Sequence, residues 1–220
     1  MSDSLVLAID TTAEFGSLAL AERGTVIEEV AMHSPDGYGH VLFERIDALL
    51  SARGVNLNDI ALFAAAAGPG SFTGVRVGLT AAKGLAATLG KPAAAISNLQ
   101  ALALLGEGSR RAAVIDARRG DVYAALFDGD ANPISAEIVT PFAPWLQSLP
   151  AVDTTFIFTN AEQYASDLGA SRFAAAPRIT AGRNMAGAVA RLAWKQAKDP
   201  ALLDANYVRK SDAELFWYDR

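Results

Sequence analysis

The stretch Ala64-Ala65-Ala66-Ala67-Gly68-Pro69-Gly70-Ser71-Phe72-Thr73-Gly74-Val75-Arg76-Val77-Gly78-Leu79 decides how this chain is read. A near-continuous apolar run, Ile60 to Ala67, precedes it, as expected of a strand buried on both faces. A run rich in small residues, Val75 to Leu89, follows it and reads as a helix. Between them, Gly68 to Gly74 holds three glycines and a proline in seven residues. Glycine takes positive φ at little steric cost and proline fixes φ near about −65°, so the loop has a specified shape. Ser71 and Thr73 are placed to cap the helix. The helix start could hold an anion or a partner's carboxylate. Equally, the turn could serve only to let helix and strand pack closely. Spacing excludes a Walker loop, because Gly74 is followed by Val75-Arg76 and no Gly-Lys appears. A dinucleotide fingerprint fails at Thr73, where its third glycine belongs.

Upstream of this stretch, Leu5 to Ile9, Gly16 to Ala21 and Thr25 to Ala31 read as a three-strand meander. Val41 to Arg53 has the helical spacing of Leu42, Ile46 and Leu49, joined by Phe43 and Leu50, with Gly54 as a stop. Downstream, Lys91-Pro92 ends the small-residue helix, on which Arg76, Thr80 and Lys83 share a polar stripe. Ala93 to Ile96 is a short strand and Leu99 to Leu105 a short helix. Gly106-Glu107-Gly108-Ser109 is the best candidate boundary. Beyond it the opening pattern returns: Ala112 to Ile115 ending at Asp116, then Asp121 to Phe127, then Ile134 to Thr140. Pro141 to Leu149 and Ala161 to Leu168 read as short helices around a strand, Thr154 to Thr159, and Asn184 to Lys198 as a longer helix. The tail from Tyr207 to Asp212 reads as extended or irregular.

At 220 residues the chain suffices for one large domain or two small lobes. Apolar residues are 51% but aromatics only 8%, so the core must rely on small side chains and close helix contacts. A net charge of −5 argues against gripping nucleic acid alone through a broad basic face. It leaves open a subunit of a complex whose other members bind the nucleic acid. The lack of cysteine excludes disulfides, thiol catalysis and thiolate metal sites. Met1-Ser2-Asp3-Ser4 lacks the basic start of a signal peptide, and no apolar run is long enough for a membrane span. A soluble cytoplasmic protein is expected.

Ile9-Asp10-Thr11, the loop Gly68 to Leu79, the turn Asp116-Ala117-Arg118-Arg119-Gly120-Asp121-Val122-Tyr123 and the tail Tyr207-Val208-Arg209 follow one another in a familiar order. In these motifs the chain resembles the bacterial TsaB (YeaZ) family. The resemblance spans most of the chain, strongest from Ala65 to Ala86 and weakest from Ile134 to Ala181. It implies the α/β actin-like ATPase (RNase H-like) fold: two lobes, each a mixed five-stranded sheet flanked by helices. The lobes are expected over 1–106 and 107–220, with the last segment packing back on the first lobe. It implies a non-catalytic scaffold or activator of a TsaD-like enzyme that transfers threonylcarbamoyl to N6 of adenosine 37 in ANN-decoding tRNAs. A TsaE-like ATPase is the third member, and tRNA is reached through the complex. The implied partner-binding residues are Leu42 and Ile46 on the first helix and Gly70, Ser71, Phe72, Thr73, Arg76, Thr80 and Lys83 on the loop and second helix. Isolated chains would pair as homodimers through the same helices.

ATP-using relatives carry Asp-Gly-Thr or Asp-Gly-Ser in the first phosphate turn; here Asp10 is followed by Thr11-Thr12. In the second turn Asp116 is followed by Ala117-Arg118-Arg119. Those guanidinium groups could bind a phosphate or a partner's carboxylate, or belong to a solvated turn. The adenosine site lacks its glycines at Thr159-Asn160-Ala161-Glu162. Asp10, Thr11, Asp116, Arg118 and Arg119 thus outline a degenerate nucleotide site. No tightly bound cofactor is expected, with ATP or ADP only at an interface shared in the complex. TsaD-like relatives carry two histidines at i, i+4; here His40 is paired with Glu44, so no metal is expected. Two rival readings are an ATP-dependent kinase or ATPase of the same superfamily and a glycoprotease-like metallopeptidase.

Overall fold

A computed structural model describes residues 4–209. The opening apolar runs form an antiparallel meander: β1 (Leu5–Asp10), β2 (Phe15–Glu22) and β3 (Thr25–His33). Next come α1 (Leu42–Ala52), β4 (Leu62–Ala66), α2 (Phe72–Leu89) and β5 (Ala93–Ile96). The sheet order is β3-β2-β1-β4-β5, with β4 parallel to both β1 and β5. β4 is buried along its whole length, which is why its run is unbroken and apolar. α2 ends where Gly90, at φ 62°, turns left-handed and donates back to Ala86 and Ala87.

After α3 (Asn98–Leu104) the same order returns. β6 (Arg110–Arg118), β7 (Asp121–Asp128) and β8 (Ile138–Pro141) make a second antiparallel meander. α4 (Phe142–Ser148), β9 (Thr155–Phe158), α5 (Ala165–Gly169) and β10 (Arg178–Thr180) follow. The order is β10-β9-β6-β7-β8, with β9 parallel to both β6 and β10. The expected pair of mixed five-stranded sheets is therefore present, and the repeat of architecture is real. β10 is only three residues long, too short for a period-two signal in the sequence.

Contacts divide the chain into residues 4–98 with 183–206, and residues 99–182 with 207–209. The division falls ahead of the Gly106-Glu107-Gly108-Ser109 stretch because α3 is held by the second unit. Gln100 donates to the Ala131 carbonyl at 3.0 Å, and buried Arg111 donates to the Ala103 carbonyl at 3.1 Å. The second core is aromatic: Phe142, Phe156, Phe158, Tyr164 and Phe173 pack beneath α4 and α5. Phe142 and Tyr164 stand 4.8 Å apart between ring centroids.

In the first unit, Leu7, Ile9, Leu18, Leu20 and Phe63 form one sheet face, covered by α1 and α2. The other face takes α6 (Ala186–Ala193), which packs on β1, β2 and β4. Adjacent strand residues point to opposite faces, so Leu18 meets the α1 and α2 side and Ser17 meets α6. The Ser17 hydroxyl accepts from the Met185 and Ala186 N–H groups at 3.0 and 2.9 Å, and Glu29 Oε1 accepts from Gly187 N–H at 2.8 Å. A helix with no cap of its own thus has its first amides satisfied by two strands. α6 stops at Ala193, short of the predicted Lys198. The chain tightens at Trp194–Gln196, and Lys198 then exchanges two hydrogen bonds of 2.9 Å with Ala93, drawing it out beside β5. Of the tail, residues from Lys210 onward lie outside the described residues. Among the described residues no helix is long and apolar enough to cross a membrane.

Replacing Ser17 with Ala leaves two buried amides without an acceptor. Denaturant unfolding of Ser17→Ala should show a loss of about 1–2 kcal/mol. An unchanged midpoint would mean that α6 is held by packing alone.

Candidate functional site

Ser71 starts α2: its hydroxyl accepts from Gly74 N–H at 3.3 Å. Its own N–H donates to the Thr12 carbonyl at 2.7 Å. Thr73 lies in the first turn instead of capping it. Gly70, Gly74 and Gly78 lie along one side of the loop and helix, against the turn after β1. A methyl at Gly70 would sit 2.7 Å from the Thr12 carbonyl oxygen, and one at Gly78 2.5 Å from Thr11 Oγ1. One at Gly74 would collide with the Thr11 carbonyl oxygen. Thr11 Oγ1 closes the contact by donating to the Gly74 carbonyl at 2.7 Å. The close packing that the sequence offered as one use of this loop is thus present.

Asp10 is buried at the same turn. Its Oδ1 accepts from Thr12 N–H at 2.9 Å and from Thr12 Oγ1 at 2.6 Å. Asn98 extends this network, donating to Thr12 Oγ1 at 2.5 Å and accepting from Gly68 N–H at 3.0 Å. Burial pushes the Asp10 carboxyl above the ordinary aspartate range, while the Thr12 hydrogen bonds pull the other way. Asn98 carries no motif that marks it in the sequence, because its partners Thr12 and Gly68 are distant along the chain.

In the second unit, Asp116 Oδ1 accepts from Arg118 N–H at 2.8 Å. Arg118 and Arg119 both take left-handed backbone, at φ 63° and 57°, at the exposed tip of the β6–β7 hairpin. Arg209 from the tail donates to the Ala117 carbonyl at 3.1 Å and forms an ion pair with Asp121. Asp10 and Thr11 therefore belong to a closed turn of the first unit, and Asp116, Arg118 and Arg119 to a stapled hairpin of the second.

Between α1 and α2 lies an open groove of about 810 Å³. Leu42, Phe43, Phe72, Arg76, Thr80 and Leu85 are among its lining residues. Phe43 is 58% exposed and Phe72 42%. The Arg76 guanidinium sits 3.7 Å above the Phe72 ring. Thr73 also lines the groove, whereas Gly70 and Ser71 sit on the loop beside it. Two of the residues expected at the interface, Ile46 and Lys83, are not among the lining of this groove. Ile46 is buried under α1 in the unit's own core, and Lys83 donates to the Leu203 carbonyl at 2.8 Å. Phe43, which the apolar periodicity had grouped with the core stripe, is the side chain on the open face. Among the described residues no three His, Asp or Glu side chains gather where a metal could be held. His40 is exposed, and His33 Nε2 lies 2.8 Å from Glu14 Oε1.

The family model "TsaD: tRNA N6-adenosine threonylcarbamoyltransferase" matches residues 38–174. The tRNA threonylcarbamoyladenosine biosynthesis protein TsaB of Bacillus subtilis is 31% identical over 229 aligned positions, 97% of this chain and 98% of that protein. The chain belongs to the TsaB family. Escherichia coli TsaB is 38% identical over 133 positions, 59% of this chain and 57% of that protein. The structure of YeaZ from Pseudomonas aeruginosa superposes with a TM-score of 0.78 at 25% identity, covering 93% of this chain and 99% of that one. The fold is thus the actin-like one of the TsaB family. The match to the TsaD model runs from just before α1, through the glycine loop and α2, and on into the second unit.

Gly74→Ala should lower unfolding stability by about 3 kcal/mol, the upper range of overpacking costs; a loss below about 1 kcal/mol would mean that α2 stands off the turn. Asp10→Asn tests the buried carboxyl. A raised folded-state pKa favours folding below the ordinary value of 3.8, and this contribution is lost as pH rises through the raised value. Asn cannot titrate. The melting temperature of Asp10→Asn relative to wild type should therefore rise between about pH 4 and about pH 7. A constant difference would show that Asp10 ionises as it does in the unfolded chain.

Proposed function

We propose that this chain is a non-catalytic subunit that docks, through the α1–α2 groove, onto a TsaD-like threonylcarbamoyltransferase. In that complex it supports transfer of the threonylcarbamoyl group to N6 of adenosine 37 in ANN-decoding tRNAs. The observation that carries this is the groove itself: two half-exposed phenylalanines on adjacent helices, with Arg76 stacked on one of them. Aromatic and arginine anchors around an apolar centre are what protein interfaces use. Membership of a family named for threonylcarbamoyladenosine biosynthesis supports the pathway.

The non-catalytic role draws support from the two turns. At the first, Thr11 and Thr12 direct their hydroxyls to Gly74 and Asp10, and Ser71 N–H is engaged by Thr12. At the second, the hairpin presents arginine side chains in place of a glycine cradle. A TsaE-like ATPase completes the complex, ATP or ADP enters at a shared interface, and tRNA is reached through the other subunits. Two isolated copies pair through the same helices.

The test is reconstitution with purified TsaD-like and TsaE-like proteins. Phe43 is exposed, so Phe43→Asp should fold normally. It should weaken binding to the TsaD-like subunit by about 30-fold, the scale of an interface hot spot of about 2 kcal/mol. Threonylcarbamoylation should fall toward its level with this chain omitted. Wild-type binding and stimulation by Phe43→Asp would remove the groove from the interface.

A further inference from the structure

A second groove, of about 920 Å³, adjoins the first and shares Thr80 and Gly84 with it. It runs between the C-terminal half of α2 and residues 198–201 of the returning chain. Its floor is apolar and small: Ala86, Ala87, Pro92, Pro200 and Ala201. Its charges are three lysines, Lys83, Lys91 and Lys198, against one acid, Asp199. Asp199 is engaged locally, accepting from Ala201 N–H at 2.8 Å. Lys83 donates to the neutral Leu203 carbonyl. Among the described residues neither Lys91 nor Lys198 forms an ion pair. Their backbones are held: the paired hydrogen bonds between Ala93 and Lys198 fix Lys198 beside the Lys91-Pro92 step. A locally positive, apolar-floored groove thus stands on a chain whose net charge is −5.

We propose that this groove receives an acidic segment, flanked by apolar residues, of the same TsaD-like subunit that fills the α1–α2 groove; the proposal rests on that docking mode. Three features select this occupant. The grooves adjoin at Thr80 and Gly84, and α2, 18 residues and so about 27 Å long, walls both. The lysines complement carboxylates, and an ammonium at a groove rim acts on association rate and partner choice. The alanine and proline floor gives a nucleic-acid backbone nothing to bind, whereas it suits the apolar side chains of a peptide. The proposed interface is therefore bipartite, with an aromatic anchor at the N-terminal half of α2 and a charge lock at its C-terminal half.

The test measures affinity for the TsaD-like subunit by calorimetry, at about 50 and about 300 mM salt. Wild type is compared with Lys91→Glu/Lys198→Glu and with the milder Lys91→Met/Lys198→Met, which keeps the aliphatic stems. Lys83 is left intact because it holds Leu203. The charge-reversed variant should bind about ten-fold more weakly at low salt and recover affinity as salt screens the new repulsion, while in the neutral variant the wild-type salt dependence should largely disappear. If charge reversal lowers the melting temperature, the neutral variant decides, with an expected loss of about three-fold. Wild-type affinity and salt slope in both variants, while Phe43→Asp still weakens binding, would overturn the second groove and leave the docking mode standing. No binding by wild type would overturn both. An effect confined to self-association, or to tRNA retention, would assign the groove to a second copy or to RNA and overturn the proposal.

Discussion

The first unit depends on one contact, the approach of the α2 backbone to the backbone of the Thr11–Thr12 turn. Glycines at 70, 74 and 78 remove the side chains that would keep them apart, and the Thr11 hydroxyl then bonds the helix directly. Backbone-to-backbone packing of this kind leaves little slack, because any Cβ at these positions meets a carbonyl oxygen, Thr11 Oγ1 or another atom of the turn. It sets how deeply α2 sits on β1 and β4, and so where Phe72, Arg76 and Thr80 stand relative to α1.

Polar groups in this chain act mainly as fasteners. Asn98 ties the β1 turn to the glycine loop, Ser17 and Glu29 seat α6, Lys83 holds Leu203, and Arg209 staples the β6–β7 hairpin. Each spans a long sequence interval and replaces what a larger apolar core would otherwise supply. That suits a composition poor in aromatics, in which much of the first sheet is alanine. Six large rings, Phe142, Trp145, Phe156, Phe158, Tyr164 and Phe173, gather in the core of the second unit.

The architecture was legible because its signals are local. Unbroken apolar runs marked β1 and β4, a glycine loop joined strand to helix, and the Asp-ended meander appeared twice. α1 came out one residue inside each predicted bound. What stayed hidden depends on distance along the chain. Lys83 sits on the exposed stripe of an isolated helix, and only the folded tail reveals that its ammonium is engaged. Ile46 and Phe43 are both apolar on α1, and periodicity alone did not say which of them faces out. The end of α6 was overestimated because its helical spacing continues to Lys195, while edge pairing with Ala93 pulls the next residues away. Asn98 escaped notice for the same reason as the Ser17 cap: hydrogen bonds leave no periodic trace.

The nested order of the chain has a consequence for biosynthesis. Residues 99–182 are made before 183–206, which complete the earlier unit. Ser17 emerges from the ribosome 168 residues ahead of the Met185 amide it accepts from. At ~5–20 residues per second, the alanine-rich face of the first sheet waits on the order of ten seconds or more for its cover. Through that interval the nascent polypeptide carries a sticky, half-built layer. Translation speed across the intervening segment, and any chaperone that shelters it, thereby become part of how this small protein reaches its finished form.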